Sequence, residues 1–165
     1  MPGCLAGTHT PTPSATGHMT IGKLDAFIQR SSQRVAREGA VWKFMLEDVG
    51  VTCIADEKAD RMRFVAAVIP LVKMTGEQLQ RAMQANFHSA VDGRYAVRGG
   101  VLYAVYIHPL SALSVHQLRS GLYQVINLVK TFGTTYQSGG LQMLPPDQKP
   151  PPIPAPTPRK PSDDA

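Results

Sequence analysis

Thr75-Gly-Glu-Gln-Leu-Gln-Arg-Ala-Met-Gln-Ala-Asn86-Phe87, with Arg94-Tyr-Ala-Val-Arg98, Gly99-Gly100 and Val101-Leu-Tyr-Ala-Val-Tyr-Ile107 behind it, decides how the rest of the chain is read. Thr75 and Gln78 have the spacing of a capping box, in which the hydroxyl accepts from the Gln78 amide and the Gln78 side chain reaches back. A helix starts there. Leu79, Ala82, Met83 and Phe87 recur at spacings of three and four, so one apolar face is expected to be buried. Paired glycines supply the positive φ that a two-residue hairpin needs, which makes the next stretch strand, turn, strand. Ser114-Val-His-Gln117 is a second capping box. It opens a helix with Val115, Leu118, Leu122, Val125, Val129 and Phe132 on one face and Gly133 as a left-handed stop.

Working back toward the N-terminus, Ile21, Leu24, Phe27, Ile28 and Val35 form a helical stripe running to about Arg37, with Glu38-Gly39 as its stop. Val41 to Glu47 alternates with Trp42, Phe44 and Leu46 on one side. This predicts a strand with both faces partly apolar. Asp48-Val49-Gly50 reads as a turn, Val51 to Ala55 as a second strand and Arg63 to Leu71 as a third, with Pro70 confined to an edge or an end. The order is helix, three strands, helix, two strands, helix: an α+β fold with a five-stranded antiparallel sheet packed with three helices.

Of 165 residues, 43% are apolar and 18% charged, which suits one globular domain with tails. Residues 1–18 are rich in Thr, Pro, Gly and Ser and have little to bury, so a disordered arm is expected. The domain is placed at 19–138. From 139 to 165 a proline-rich, disordered tail is expected; nine of the 17 residues from Pro145 to Pro161 are proline, which predicts a stiff, extended, soluble segment. No run approaches the roughly 18 apolar residues of a membrane-spanning helix. The first residues also lack the basic start and apolar stretch of a secretory signal, and a cytoplasmic protein is the expectation.

The net charge of +5 resides between residues 19 and 140, where 14 Lys and Arg face 9 Asp and Glu. That modest, scattered excess reads as solvated surface rather than a nucleic-acid footprint. Cys4 and Cys53 supply neither a disulfide framework nor a zinc pattern. His88, His108 and His116, even taken with Asp92, lack the spacing of a helix-borne metal site, and no Gly-x-Ser-x-Gly elbow or phosphate-binding loop is present. No catalytic residue, metal or cofactor is therefore expected. Instead the strands carry bulky side chains on both faces: Trp42 and Phe44, then Leu102, Ala104 and Tyr106 against Val101, Tyr103 and Val105. Either the three helices wrap both faces and leave nothing exposed, or they cover one face and the other calls for a partner.

The element order over residues 20–135, and above all Leu79-Gln-Arg-Ala-Met-Gln-Ala-Asn86-Phe87 before the second hairpin, resembles the bacterial type III secretion chaperone family of the Tir chaperone type, and its relatives such as the sensory transduction regulator family. The resemblance implies a non-catalytic homodimer that holds an extended segment of a client protein. It implies a dimer contact through Leu79, Met83, Phe87 and Tyr103, and client pockets at Phe27, Ile28, Trp42 and Phe44. A regulatory protein-interaction domain with no secretion role is the alternative. The family is typically acidic, whereas this sequence has a pI near 9.4.

Overall fold

The computed structural model describes residues 18–139; the expected arm (apart from His18) and the expected tail (apart from Gly139) lie outside them. Thr20 accepts from the Lys23 amide and caps helix α1 (Ile21–Ser31). Four strands follow in antiparallel succession: β1 (Gln33–Glu38), β2 (Val41–Leu46), β3 (Val49–Asp56) and β4 (Arg61–Pro70). A 3₁₀ turn at Leu71–Lys73 leads to α2 (Gly76–His88), then β5 (Arg94–Arg98), β6 (Val101–His108) and α3 (Val115–Thr131). Both predicted capping boxes form, at Thr75 with Gln78 and at Ser114 with Gln117.

The sheet has six strands in the order β1-β2-β3-β4-β6-β5, one more than expected. The additional strand is cut from what reads as the end of the first helix. That helix stops at Ser31, and Gln33–Glu38 pairs with β2 around a two-residue Gly39-Ala40 turn, in which Gly39 has φ +57°. Local preference is overridden here by tertiary contacts. Arg37, where the expected helix was to end, instead lies over the Trp42 ring at 4.9 Å and pairs with Asp25 at 3.3 Å. Asp25 also accepts from Trp42 Nε1 at 2.7 Å, so one carboxylate of α1 holds both strands of the first hairpin.

The second turn falls at Glu47-Asp48 rather than 48–50, with Leu46 opposite Val49. Both turn residues have positive φ, 49° and 64°, although neither is glycine. Glu47 is tied to Lys130 of α3 by an ion pair at 2.5 Å. Gly99 and Gly100 do form the predicted hairpin, with φ +55° and +75°. Pro70 ends β4, where a missing amide costs no ladder bond.

One face of the sheet makes the core. Trp42, Cys53, Phe64 and Tyr106 form a cross-strand row on it, and all are buried beneath Leu24, Phe27 and Ile28 of α1 and Leu118, Leu122, Val125 and Ile126 of α3. Burial also pushes the Cys53 thiol far above its ordinary range, leaving it an inert core residue.

The long β3–β4 loop is pinned to the segment before α3. Asp60 accepts from the Ser111 amide at 2.7 Å and the Ser111 hydroxyl at 2.8 Å. These bonds hold its carboxyl below its usual range. A depressed folded pKa stabilises above the unfolded value, about 3.9, and the contribution fades as pH falls through the folded value. Asp60→Ala should therefore lower the melting temperature at neutral pH, and the gap from wild type should shrink in acid. A gap that widens on acidification would contradict this assignment.

Candidate protein-binding surface

Helix α2 sits at the β5 edge of the sheet and touches the fold through small side chains. Ala82 and Ala85 are buried, whereas Leu79, Met83 and Phe87 are 39%, 43% and 63% exposed. The expectation that the large apolar side chains of this helix are buried is thus corrected: within the chain they face outward. The 3.6-residue period identified an apolar face correctly, but the alanines, one step round the helix, are what the fold uses.

Asn86 anchors the helix. Its Nδ2 donates to the Tyr95 carbonyl at 3.1 Å, and its Oδ1 accepts from the Tyr95 amide at 2.7 Å. A side-chain amide has the same donor and acceptor as a peptide unit, so Asn86 pairs with the outer edge of β5 as another strand would. Tyr95 in turn sends its hydroxyl to Leu128 O at 2.7 Å, and burial raises its pKa. The other edge, β1, is interrupted by a bulge between Gln33 and Ala36, with Arg34 at φ +53°. Bulges and charged side chains of this kind discourage further strand pairing. Both margins of the sheet are partly closed.

Its second face is open. Thr52, Val65, Val105 and Arg94 form one cross-strand row on it, Ala67, Tyr103 and Ala96 another, and Ile54, Arg63 and Ile107 a third. Val65, Tyr103 and Val105 are half-buried by their neighbours, Ile107 is 54% exposed, and no helix lies over them among the described residues. The surplus of apolar side chains noted in the sequence is therefore located on this face and on α2. Of the residues expected at a dimer contact, Leu79, Met83 and Phe87 share the α2 face and Tyr103 lies on the open sheet face.

Phe27, Ile28, Trp42 and Phe44 are placed differently. Their exposures are 7%, 0%, 0% and 3%, and they pack against one another and the sheet in the core. As the chain stands, they present no pocket to a client. The exposed apolar side chains lie instead on α2 and on the open face, and periodicity could not distinguish the open face from the core face because both alternate.

His108, His116 and Asp92, far apart in sequence, line one cleft of about 570 Å³ between β6 and the first turns of α3, together with Arg94, Tyr106 and Ser120. His108 Nδ1 lies 2.8 Å from the Pro109 carbonyl. Gln124, on α3, accepts from the amides of Asp92 and Gly93 and donates to Ser120 Oγ at 3.2 Å. Among the described residues no group of three His, Cys, Asp or Glu is placed to hold a metal ion. His88 is elsewhere, in edge contact with Phe87 at 5.0 Å. Among the described residues no helix is long and apolar enough to cross a membrane.

The arrangement defines a class first: an α+β domain with helices on one face of an antiparallel sheet and apolar surface left on the other. No family model matches the chain, and no curated protein matches it. Among solved structures, a chain of the HopA1-SchA chaperone-effector complex superposes with a TM-score of 0.52, at 15% identity, covering 66% of this chain and 88% of that one. A chain of the ExsC-ExsE complex gives 0.45 at 13% identity, covering 55% and 74%. The first establishes that the α+β fold expected from the sequence is shared with a chain of a chaperone-effector assembly.

Proposed function

We propose that the protein is a non-catalytic protein-binding module, which pairs with a second copy through α2 and holds an extended segment of a client against the open face of its sheet. The observation that supports this most is the uncovered apolar surface: Leu79, Met83 and Phe87 on α2, and Tyr103, Val105 and Ile107 on the sheet. Exposed apolar area of this kind marks an interaction site more often than it marks nothing. The shared fold supports the choice of a chaperone-like role over other binding roles by analogy. Because Asn86 occupies one sheet edge and a bulge interrupts the other, the client is expected to be held by side-chain contacts on the face, with little main-chain strand addition.

Two measurements test the reading separately. Co-purification from the native host followed by mass measurement should recover a discrete partner, and repeated recovery of the bare protein would count against a stable client. Light scattering should give a dimer at micromolar concentration, and a monomer there would remove the self-association. Phe87→Asp should weaken that association about thirtyfold, the effect of losing a contact worth ~2 kcal/mol at an interface centre. Its thermal stability should stay within about 1 kcal/mol of wild type, because the side chain is exposed and an acidic group near a helix C-terminus costs little.

A further inference from the structure

The apolar face of α2 ends where the described chain ends. Ser138 is fixed beside the C-terminus of this helix: its amide and hydroxyl both donate to the carbonyl of Ser89, the C-cap residue, at 3.1 and 3.3 Å. Ser89 Oγ donates to Tyr136 O at 2.7 Å, and Asn127 Nδ2 to Ser138 O at 3.0 Å. The chain therefore departs from a point held against Ser89, which lies two residues beyond Phe87 in the sequence. It continues as Gly139-Gly140, then Leu141-Gln-Met143-Leu144-Pro145-Pro146. Three large apolar side chains are thus gathered within four residues of the exit, whereas residues 147–165 contain a single one, Ile153.

We propose that residues 141–146 fold back over the Leu79, Met83 and Phe87 face of α2 in the same molecule, and that this segment competes with a second copy of the protein for that face. The docking stands independently of self-association; the competition rests on it. Distances fit. Leu79 to Phe87 spans ~12 Å of helix at ~1.5 Å per residue, and a helix is ~10–12 Å across. Two glycines and Leu141, at ~3.3 Å each, supply the ~10 Å needed to pass around the end of the helix. Four further steps, from residue 141 to 145, would span ~13 Å in extended form, the length of the stripe. Gly139 and Gly140 accept the backbone reversal without a Cβ penalty. A residue before proline is disfavoured in helical geometry and proline has a fixed φ, so the Leu144-Pro145-Pro146 sequence lowers the entropy lost on docking in an extended form.

A short flexible connection gives an effective concentration in the millimolar range, so a contact that would be weak between separate molecules closes readily within one. A tenfold preference for the closed form is enough to matter. A dimer requires two open faces, so that preference raises its dissociation constant about a hundredfold. The tail becomes the element that sets the concentration at which copies meet.

The test uses the full chain and a full-length variant carrying Leu141→Ser, Met143→Ser and Leu144→Ser, three positions outside the described residues. Both are labelled with hydroxyl radicals at a concentration where light scattering gives a monomer, and modification of Met83 and Phe87 is read by mass spectrometry. The expected result is several-fold faster labelling of both residues in the variant, with its dimer dissociation constant lowered about a hundredfold. Equal labelling of Met83 and Phe87 in the two proteins would overturn the docking, whether or not a dimer forms. Faster labelling in the variant, with neither protein dimerising at any concentration reached, would sustain the docking and remove both the competition and the self-association on which it rests.

Discussion

Trp42→Ala is expected to remove about 3–5 kcal/mol of stability, the range for deleting a large buried aromatic side chain, and so to leave the domain largely unfolded at physiological temperature. Trp42 has no exposed surface and lies in the row with Cys53, Phe64 and Tyr106. Its indole donates to Asp25 and its ring lies under the Arg37 guanidinium, so the substitution also breaks the tie between α1 and the first hairpin. Urea denaturation followed by circular dichroism checks this, since the chain contains a single tryptophan and its fluorescence would be lost. Trp42→Phe should cost less, because it keeps most of the apolar volume and loses the hydrogen bond. An unchanged midpoint for Trp42→Ala would instead place this side chain at a surface, which is where a client pocket would need it.

Gly121→Ala should also destabilise, against the direction that helix preference alone dictates. Alanine in a helix interior is favoured over glycine by ~1 kcal/mol. A Cβ at position 121, however, would lie 2.5–2.6 Å from three atoms of the Tyr106 ring. Relief would need that ring, buried and stacked at 6.5 Å on Phe64 and at 6.0 Å on His108, to shift toward the cleft it lines, at the expense of both stacks. Overpacking of a rigid core costs ~1–3 kcal/mol, and three simultaneous contacts this short place the cost at the upper end, so the clash outweighs the helix gain. The net loss should be about 1–2 kcal/mol. Pairing Gly121→Ala with Tyr106→Leu should relieve part of it, and strictly additive effects in this double-mutant cycle would show that the two residues do not touch.

Signals written within three or four residues were legible in the sequence. Thr75 with Gln78, Ser114 with Gln117, and Gly99-Gly100 each specify their geometry locally, and each forms as expected. What depends on distant partners was not. Gln33–Glu38 continues a helical period well enough to pass for helix, and becomes a strand because β2 is there to pair with it and Trp42 is there to receive Arg37. The Glu47-Asp48 turn adopts left-handed geometry without glycine, so its position escaped the usual turn chemistry. Periodicity likewise reports that a face is apolar and leaves open what covers it. Phe27, Ile28, Trp42 and Phe44 turned out to cover one another, whereas Leu79, Met83 and Phe87 are left to solvent within the chain. Asp92, His108 and His116 can be taken together from the sequence but lack metal-site spacing there; they do line one cleft, whose walls come from segments with no shared pattern.

The pairing of Asn86 with Tyr95 carries a consequence for a protein whose proposed work is to keep company with unfolded chain. An edge strand next to extended polypeptide is a template, and a holder that recruits its cargo into a growing sheet would seed the aggregation it is meant to prevent. By terminating the edge at Tyr95 with one amide side chain, the fold separates gripping from polymerising. Leucine at position 86 would fill the same space and leave the tyrosine amide and carbonyl unanswered. Its symptoms should then be a loosened α2, read as a lower melting temperature, and fibrous self-assembly at high concentration, read by light scattering.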